Sequence, residues 1–173
     1  MHKLSEGRGG WIIHKRMTWK DAFTFVAVIS GGVIADLLSK WIVFAHLEKF
    51  ERVTLIPGFF NILRSENEGV VFGIFPGRTT AFIIFSIIAI IIIVCVYIWS
   101  DKTLLISNVA LGLILAGAIG NLWDRVWYGH VRDFIDLHIG EKYHWPTFNV
   151  ADSLICIGIS IMVFGSFPSK KTQ

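Results

Sequence analysis

Two aspartates in the second half of the chain could form a catalytic pair. Asp133 lies in VRDFID at 131–136, and Asp152 lies in FNVADS at 148–153. Two carboxylates held close together cannot both ionise easily, so one of them keeps a proton near neutral pH. The ionised carboxylate can take a proton from water, while the protonated one donates a hydrogen bond to a scissile carbonyl. This is the chemistry of an aspartic peptidase, in which the pair titrates as a unit.

Each aspartate also has a structural interpretation. Asn149 is a suitable helix N-cap, and Asp152, three residues later, matches the acidic member of a capping box. Asp133 and Asp136 flank two apolar residues, a pattern typical of an amphipathic stretch on a membrane surface. For Asp136 we expect a solvated position. Spacing alone therefore favours capping over catalysis for Asp152.

Asp36 lies within an otherwise apolar stretch, where an ionisable group is costly and is a functional candidate. Lys40 follows at the i,i+4 spacing, which places both side chains on one helix face. An ion pair within the helix and an inward-facing Asp36 that orients a polar site are both compatible with this spacing.

A second polar group ends another apolar stretch. GAIGNLWDR at 117–125 combines two glycines, which permit close helix packing, with Asn121, Asp124 and Arg125. It is either a packing motif with an interfacial Asp–Arg pair or part of a site at the membrane boundary.

The composition indicates a membrane protein. The hydrophobic fraction is 54% and the charged fraction 17%, whereas soluble domains are about 25% charged. The formal charge of +3 is too small and too dispersed to indicate a nucleic-acid partner. The two cysteines lie in apolar runs and predict neither a disulfide nor a metal site, and no motif indicates a cofactor.

Four apolar segments are long enough to cross a membrane. We expect an all-α membrane protein with a cytoplasmic tail at 1–20 and one four-helix domain at 21–169. The predicted spans are about 22–47, 79–100, 103–123 and 151–169.

The charge distribution predicts the orientation. Lys and Arg are concentrated in the N-terminal tail, with Lys102 in the second connection and Lys170 and Lys171 at the C-terminus, so both termini are predicted to be cytoplasmic. Residues 48–78 then face outward and read as short strands and turns, a small β-containing segment. Residues 124–148 are predicted to form an outer loop or amphipathic helix. Asp133 and Asp152 fall at the same outer membrane face.

At these residues the sequence resembles the lipoprotein signal peptidase family, also called signal peptidase II. The resemblance covers nearly the whole chain after the tail. It is carried by ADLLSKW at 35–41, FFN at 59–61, NEGVVFG at 67–73, GAIGNLWDR at 117–125, VRDFID at 131–136 and FNVADS at 148–153.

The resemblance implies an aspartic endopeptidase of the bacterial cytoplasmic (inner) membrane, with its active site near the extracytoplasmic face and no metal. Its substrates would be prolipoproteins whose lipobox cysteine carries a diacylglyceryl group, cleaved just before that cysteine. Membrane lipids and inhibitors of the globomycin type are the other implied partners. The implied dyad is Asp133 and Asp152, and the implied supporting or substrate-binding residues are Asp36, Asn67, Asn121, Asp124, Arg125 and Asn149.

Two other classes of function would use some of the same residues. A metal-dependent membrane peptidase could draw ligands from His130, His138 and His144 with Asp133 and Asp136, but the sequence has no HExxH motif and no histidines at i,i+4 on a helix. A non-enzymatic transporter or assembly factor would be expected to carry polar residues at the membrane midplane, which only Asp36 approaches.

Overall fold

The computed structural model describes residues 18–69, 79–99 and 105–165. In chain order, these residues form four helices and four strands. They are α1 (Trp19–His46), β1 (Arg52–Ile56), β2 (Phe60–Asn67), α2 (Thr79–Trp99), α3 (Leu105–Tyr128), β3 (Val131–Ile139), β4 (Tyr143–His144) and α4 (Val150–Gly165). The strands connect helix ends on one side of the bundle, and we call this side the sheet end.

Residues 1–17 of the predicted cytoplasmic tail lie outside the described residues, and so does the end of the predicted fourth span. Thr18 caps α1 through a reciprocal capping box with Asp21, so the helix begins three residues earlier than predicted. α2 ends at Trp99, one residue before the predicted end of that span, whereas α3 continues to Tyr128, five residues beyond the predicted end of the third span.

Three of the described helices are long and apolar enough to cross a membrane. They are α1, α2 and α3, with 28, 21 and 24 residues. The described part of α4 is also apolar but has 16 residues, which corresponds to a rise of about 24 Å against a hydrocarbon core of about 30 Å. Large apolar side chains remain exposed along α2, as at Ile91 and Ile92. Helices of this kind indicate a multi-pass membrane protein.

α3 lies at the centre of the bundle and packs against the other three helices. Away from the sheet end, Phe25 of α1 stacks on Tyr97 of α2, with ring centroids 3.6 Å apart and planes inclined by 5°. Leu111 and Leu115 of α3 complete this buried cluster. The apolar packing therefore joins α1, α2 and α3 in the half of the bundle away from the sheet end.

Glycines let α3 and α4 approach closely. A Cβ atom at Gly158 of α4 would lie 2.6 Å from the carbonyl oxygen of Ala110, and a Cβ atom at Gly117 of α3 would collide with the carbonyl oxygen of Ala151. Both obstacles are backbone atoms, which cannot move aside without shifting a helix. The small residues therefore set the distance between α3 and α4, which both carry polar residues described below.

The strands form one antiparallel sheet in the order β1-β2-β3-β4. Between β2 and β3 the register shifts: Ile62 pairs with Ile135, but Ser65 pairs with Asp133. β2 thus contains one extra residue, a β-bulge. Because successive side chains of a strand point to opposite faces, the bulge places Asn61 and Asn67 on opposite faces of the sheet, although they are six residues apart.

The interpretation of residues 124–148 as a loop or amphipathic helix is wrong, whereas the β-containing segment at 48–78 is confirmed by β1 and β2. Residues 131–139 form β3, which pairs with β2 over most of its length. Val131 to Phe134 are all buried, so the strand lacks the apolar–polar alternation that identifies a half-exposed strand in a sequence. Its pairing partner lies more than 60 residues earlier in the chain, which local patterns do not reveal.

We predict that Gly158→Ala destabilises the fold, because its methyl group would meet the Ala110 carbonyl oxygen. Overpacking of this kind costs about 1–3 kcal/mol, and thermal unfolding in detergent would measure it as a lower Tm. Gly31→Ala is the matched control, since a Cβ atom there has no neighbour within 4 Å, and its Tm should be unchanged or higher. An equal decrease in Tm for both variants would contradict this account of the α3–α4 contact.

Candidate active site

A buried ammonium group lies where α1 and α3 meet near the sheet end. Lys40 Nζ lies 2.7 Å from Asp36 Oδ2 and 3.1 Å from Asp124 Oδ2, and it donates to Asn121 Oδ1 at 3.3 Å. Lys40, Asp36 and Asp124 are all fully buried. The predicted Asp36–Lys40 pair is therefore confirmed, and so is the inward orientation of Asp36.

Asp36 also reaches the start of α4. Its Oδ1 accepts a hydrogen bond from the backbone N–H of Ala151 at 2.9 Å, one of the amides that no carbonyl within the helix satisfies. Gly120 of α3 lies against this carboxylate, and a Cβ atom there would collide with Asp36. One carboxylate thus joins α1 to α4, and a glycine of α3 makes room for it.

Asp124 ties the end of α3 to the start of β3. Its Oδ1 accepts hydrogen bonds from Arg132 Nε at 3.1 Å and from Arg132 Nη2 at 2.8 Å, and its Oδ2 accepts from the Arg132 backbone N–H at 3.0 Å. The Asp124 carboxylate therefore has two cationic partners, Lys40 and Arg132. It fixes the point at which β3 leaves the bundle.

Asp152 lies in the first turn of α4, as predicted, and makes the capping box with Asn149. The Asp152 N–H donates to Asn149 Oδ1 at 3.0 Å, and the Asn149 N–H donates to Asp152 Oδ2 at 3.3 Å. The remaining oxygen, Oδ1, accepts from Asn121 Nδ2 at 2.8 Å. The capping interpretation of Asp152 is confirmed. Its side chain is only partly buried.

Asp133 lies on the face of β3 that is directed toward Asn149 and Asn67. Its Oδ1 accepts from Asn149 Nδ2 at 2.7 Å, and its Oδ2 accepts from Asn67 Nδ2 at 2.9 Å. The Asn149 amide also donates to Asn121 Oδ1 at 3.1 Å. Because Asn149 contacts both Asp133 and Asp152, it links the two carboxylates.

Burial and, to a smaller extent, the negative charge of Asp152 raise the pKa of Asp133, and the hydrogen bonds from Asn67 and Asn149 lower it; the result is a pKa of about 7. An ordinary aspartate has a pKa of about 3.9. Asp133 is therefore a carboxyl group that holds or releases a proton near neutral pH, which is the property that an acid–base residue needs.

Arg125 lies one residue beyond Asp124 on α3, near both aspartates. Its guanidinium donates to the carbonyl oxygen of Asn121 at 3.2 Å and lies 5.6 Å from the ring centre of Phe82 in α2. No salt bridge to it is formed within the described residues, so its cationic end stays available beside the two aspartates.

The eight residues singled out in the sequence thus meet in one region at the sheet end. Lys40 and Asn149 join six of them by direct contacts, while Asn67 joins through Asp133 and Arg125 through the carbonyl oxygen of Asn121. The residues concerned are Asp36, Asn67, Asn121, Asp124, Arg125, Asp133, Asn149 and Asp152.

Sequence reasoning missed two residues of this network. Lys40 was treated only as the partner of Asp36, although it also contacts Asp124 and Asn121. Arg132, which is 6% exposed, was not assigned at all. A lysine within an apolar span is a signal for the first, because such a charge needs several partners. Nothing in the local pattern around Arg132 marks it as buried.

The solvated position expected for Asp136 is wrong. Asp136 is 2% exposed and lies three residues after Asp133, hence on the other face of β3. Its Oδ2 accepts a hydrogen bond from Asn61 Nδ2 at 2.8 Å, and its Oδ1 lies 3.0 Å from His144 Nδ1. Burial raises the pKa of Asp136, but the contacts with Asn61 and His144 outweigh burial and lower it below its ordinary value.

Comparison with known proteins agrees with this architecture. The sequence profile described as Signal peptidase (SPase) II matches residues 17–168. The chain is 42% identical over 147 residues to the lipoprotein signal peptidase of Photorhabdus laumondii subsp. laumondii, covering 81% of this chain and 86% of the relative. It is 36% identical over 149 residues to that of Syntrophotalea carbinolica, covering 84% and 92%.

A solved structure described as a bacterial membrane enzyme, determined by the in meso method, superposes with a TM-score of 0.77 at 33% identity, over 93% of this chain and 99% of that one. A second structure with the same description gives 0.77 at 34% identity, over 92% and 99%. The spans and this likeness define a multi-pass protein of a membrane-enzyme class. Within that class, the profile and the relatives show that the chain belongs to the signal peptidase II family.

We predict that Lys40→Met strongly destabilises the protein, because it leaves the buried carboxylates of Asp36 and Asp124 without their shared ammonium. Removing one partner of a buried ion pair costs about 3–5 kcal/mol. Unfolding by SDS in mixed micelles would measure this loss.

Lys49→Met is the control for Lys40→Met, because Lys49 forms an exposed ion pair with Glu66 and its loss should cost less than about 1 kcal/mol. Equal unfolding midpoints for the two variants would show that the buried ammonium does not hold the helices together.

The raised pKa of Asp133 predicts that the stability of the protein depends on pH. The folded chain binds this proton more tightly than the unfolded chain, so the contribution of Asp133 to the free energy of unfolding falls as pH rises from about 4 to about 7. Asp133→Asn removes the titration. Its Tm, measured relative to that of the unmodified protein, should therefore increase between pH 4 and pH 8.

Glu141→Gln, in the exposed turn before β4, makes the same chemical change away from the cluster and should give a Tm difference that is constant across that range. A constant difference for Asp133→Asn as well would contradict the raised pKa.

Proposed function

We propose that the chain is an aspartic endopeptidase that removes signal peptides from bacterial prolipoproteins, with Asp133 and Asp152 as its catalytic residues. Membership of the signal peptidase II family supports the reaction, and the same membership disfavours a transporter or assembly factor. The observation that carries the residue assignment is Asn149, whose contacts to both carboxylates join them into one unit.

The proposed mechanism uses one shared proton. Asp133, with its pKa raised to about 7, holds the proton and donates a hydrogen bond to the scissile carbonyl oxygen. Asp152 takes a proton from water, and the water oxygen bonds to the carbonyl carbon while the proton of Asp133 moves to the carbonyl oxygen. When the C–N bond breaks, Asp152 gives its proton to the leaving nitrogen, and Asp133 regains the proton of the collapsing intermediate.

The neighbouring polar residues would position this pair. Asn67 and Asn149 hold Asp133, and Asn121 holds Asp152. Arg125 would contact the carbonyl groups of the substrate, because its cationic end is not used by a salt bridge among the described residues. Asp36 and Asp124 act through Lys40 to keep α1, α3 and the start of α4 in place.

The proposed substrate is a prolipoprotein whose lipobox cysteine carries a diacylglyceryl group, cleaved just before that cysteine. The similarity to lipoprotein signal peptidases supports the lipoprotein part of this proposal, and the exposed apolar helices would offer the acyl chains a lipid-like surface. Inhibitors of the globomycin type would compete for the same site, and membrane lipids would surround it.

We further propose four membrane spans, with both termini in the cytoplasm and the sheet end at the outer face of the cytoplasmic membrane. The concentration of Lys and Arg in the N-terminal tail supports this orientation. α4 would be the fourth span. In this arrangement, one domain at 21–169 carries the whole site, and the tail at 1–20 stays on the cytoplasmic side.

We predict that Asp133→Asn and Asp152→Asn each abolish cleavage of a diacylglyceryl-modified prolipoprotein in detergent, because either change removes a group that handles the shared proton. A gel assay of signal-peptide release would measure turnover, and circular dichroism would verify that both variants remain folded. Glu141→Gln should keep the activity of the unmodified protein.

Retained turnover in either folded aspartate variant would contradict the dyad. The same assay with a prolipoprotein that lacks the diacylglyceryl group tests the substrate proposal separately. We expect its turnover to be lost, and equal turnover of the two substrates would contradict the requirement for the lipid while leaving the dyad intact.

A further inference from the structure

A second polar cluster lies on the other face of β3 from Asp133. It consists of Asp136 and His138 of β3 and His144 of β4, the two histidines being partners in the strand register. Both imidazoles direct Nδ1 toward the same carboxylate: His144 Nδ1 lies 3.0 Å from Asp136 Oδ1, and His138 Nδ1 lies 3.9 Å from Asp136 Oδ2. The rings are stacked, with centroids 4.9 Å apart.

Asp136 places a buried carboxylate at the centre of this cluster. Its carboxylate is 2% exposed, and among the residues that the structure describes it forms salt bridges only with the two histidines. Buried charges are usually paired with a permanent opposite charge or bound to a metal ion.

We propose that Asp136, His138 and His144 bind a divalent transition-metal ion of the zinc class. One carboxylate oxygen and two imidazole nitrogens form a common three-ligand set for such an ion, with water in the fourth position. The three ligand atoms lie within 4.8 Å of one another, whereas ligands of one tetrahedral zinc ion lie about 3.3 Å apart. Binding of the ion would draw the three ligand atoms closer together.

The surroundings fit a metal site. Asn61 Nδ2 donates to Asp136 Oδ2 at 2.8 Å, and an outer hydrogen bond of this kind orients a ligating carboxylate. Exposure rises from 2% at Asp136 and 8% at His138 to 38% at the His144 side chain. The histidines also line a cavity of about 500 Å³ together with Tyr143 and Trp145. This cavity gives an ion a path from solvent to the buried carboxylate.

The ion would connect strands rather than take part in peptide hydrolysis. Asp136 and Asp133 project from opposite faces of β3, so the metal site and the proposed dyad are separated by the strand. β3 and β4 have only two register pairs, His138 with His144 and Ile139 with Tyr143. A bound ion would therefore hold β4 to β3, five residues before Asn149, which contacts both aspartates.

The full chain, purified in detergent without a polyhistidine tag and stripped with a chelator, tests this proposal. We expect one equivalent of Zn²⁺ to bind in isothermal titration calorimetry, and Co²⁺ to give the visible absorption of a four- or five-coordinate site with nitrogen and oxygen ligands. At a free Zn²⁺ concentration 100 times the Kd, Tm should rise by about 5–10 °C.

His138→Ala and His144→Ala should each weaken Zn²⁺ binding at least tenfold, and the double variant should lose the Co²⁺ spectrum. The matched control is His46→Ala with His130→Ala, which removes two imidazoles outside the cluster and should bind as the unmodified protein does. Since His144 is partly exposed, His144→Ala keeps the test valid if the buried substitution prevents folding.

The absence of Zn²⁺ binding by the unmodified protein would overturn the proposal. Equal binding by the double variant and its control would also overturn it, because the ion would then be held elsewhere. Cleavage of prolipoprotein by the chelator-stripped chain addresses the proposed function independently, since the dyad requires no metal.

Discussion

The Lys40 ammonium is the interaction on which the rest of the structure depends. It is fully buried between two carboxylates, those of Asp36 and Asp124, which continue to the N-terminus of α4 and to Arg132 of β3. Desolvating three charges is costly, and the cost is offset only when every partner is in place. The cluster therefore acts as one unit that specifies how α1, α3, α4 and β3 meet.

This arrangement separates rigidity from reactivity. The charges of Asp36, Asp124, Lys40 and Arg132 compensate one another, so they supply structure without taking part in proton transfer. Asparagines form the next layer: their amides hold carboxylates without adding a charge, which leaves the Asp133 pKa near neutrality despite two hydrogen bonds to it. Compensation by additional cations would lower that pKa.

Most residues of the candidate site could be identified from the sequence, but the contacts between them could not. The Asp36–Lys40 pair and the capping box of Asp152 follow from helical spacing, so both could be predicted. The contact from Asp36 to the Ala151 N–H joins residues 115 positions apart, and no local pattern encodes it. β3 was missed because its residues are buried on both faces and its partner strand is distant. The solvated position expected for Asp136 is wrong for the same reason, because its partner Asn61 lies 75 residues earlier in the chain.

The extra residue in β2 determines which carboxylates the asparagines of this strand can contact. Asn61 serves the Asp136 side of the sheet and Asn67 the Asp133 side, and only the bulge between them makes both pairings possible. Shortening β2 by one residue would restore regular pairing at the expense of one asparagine contact. The length of β2 is therefore constrained, because an insertion or deletion between Asn61 and Asn67 would turn one of the two asparagines away from its carboxylate.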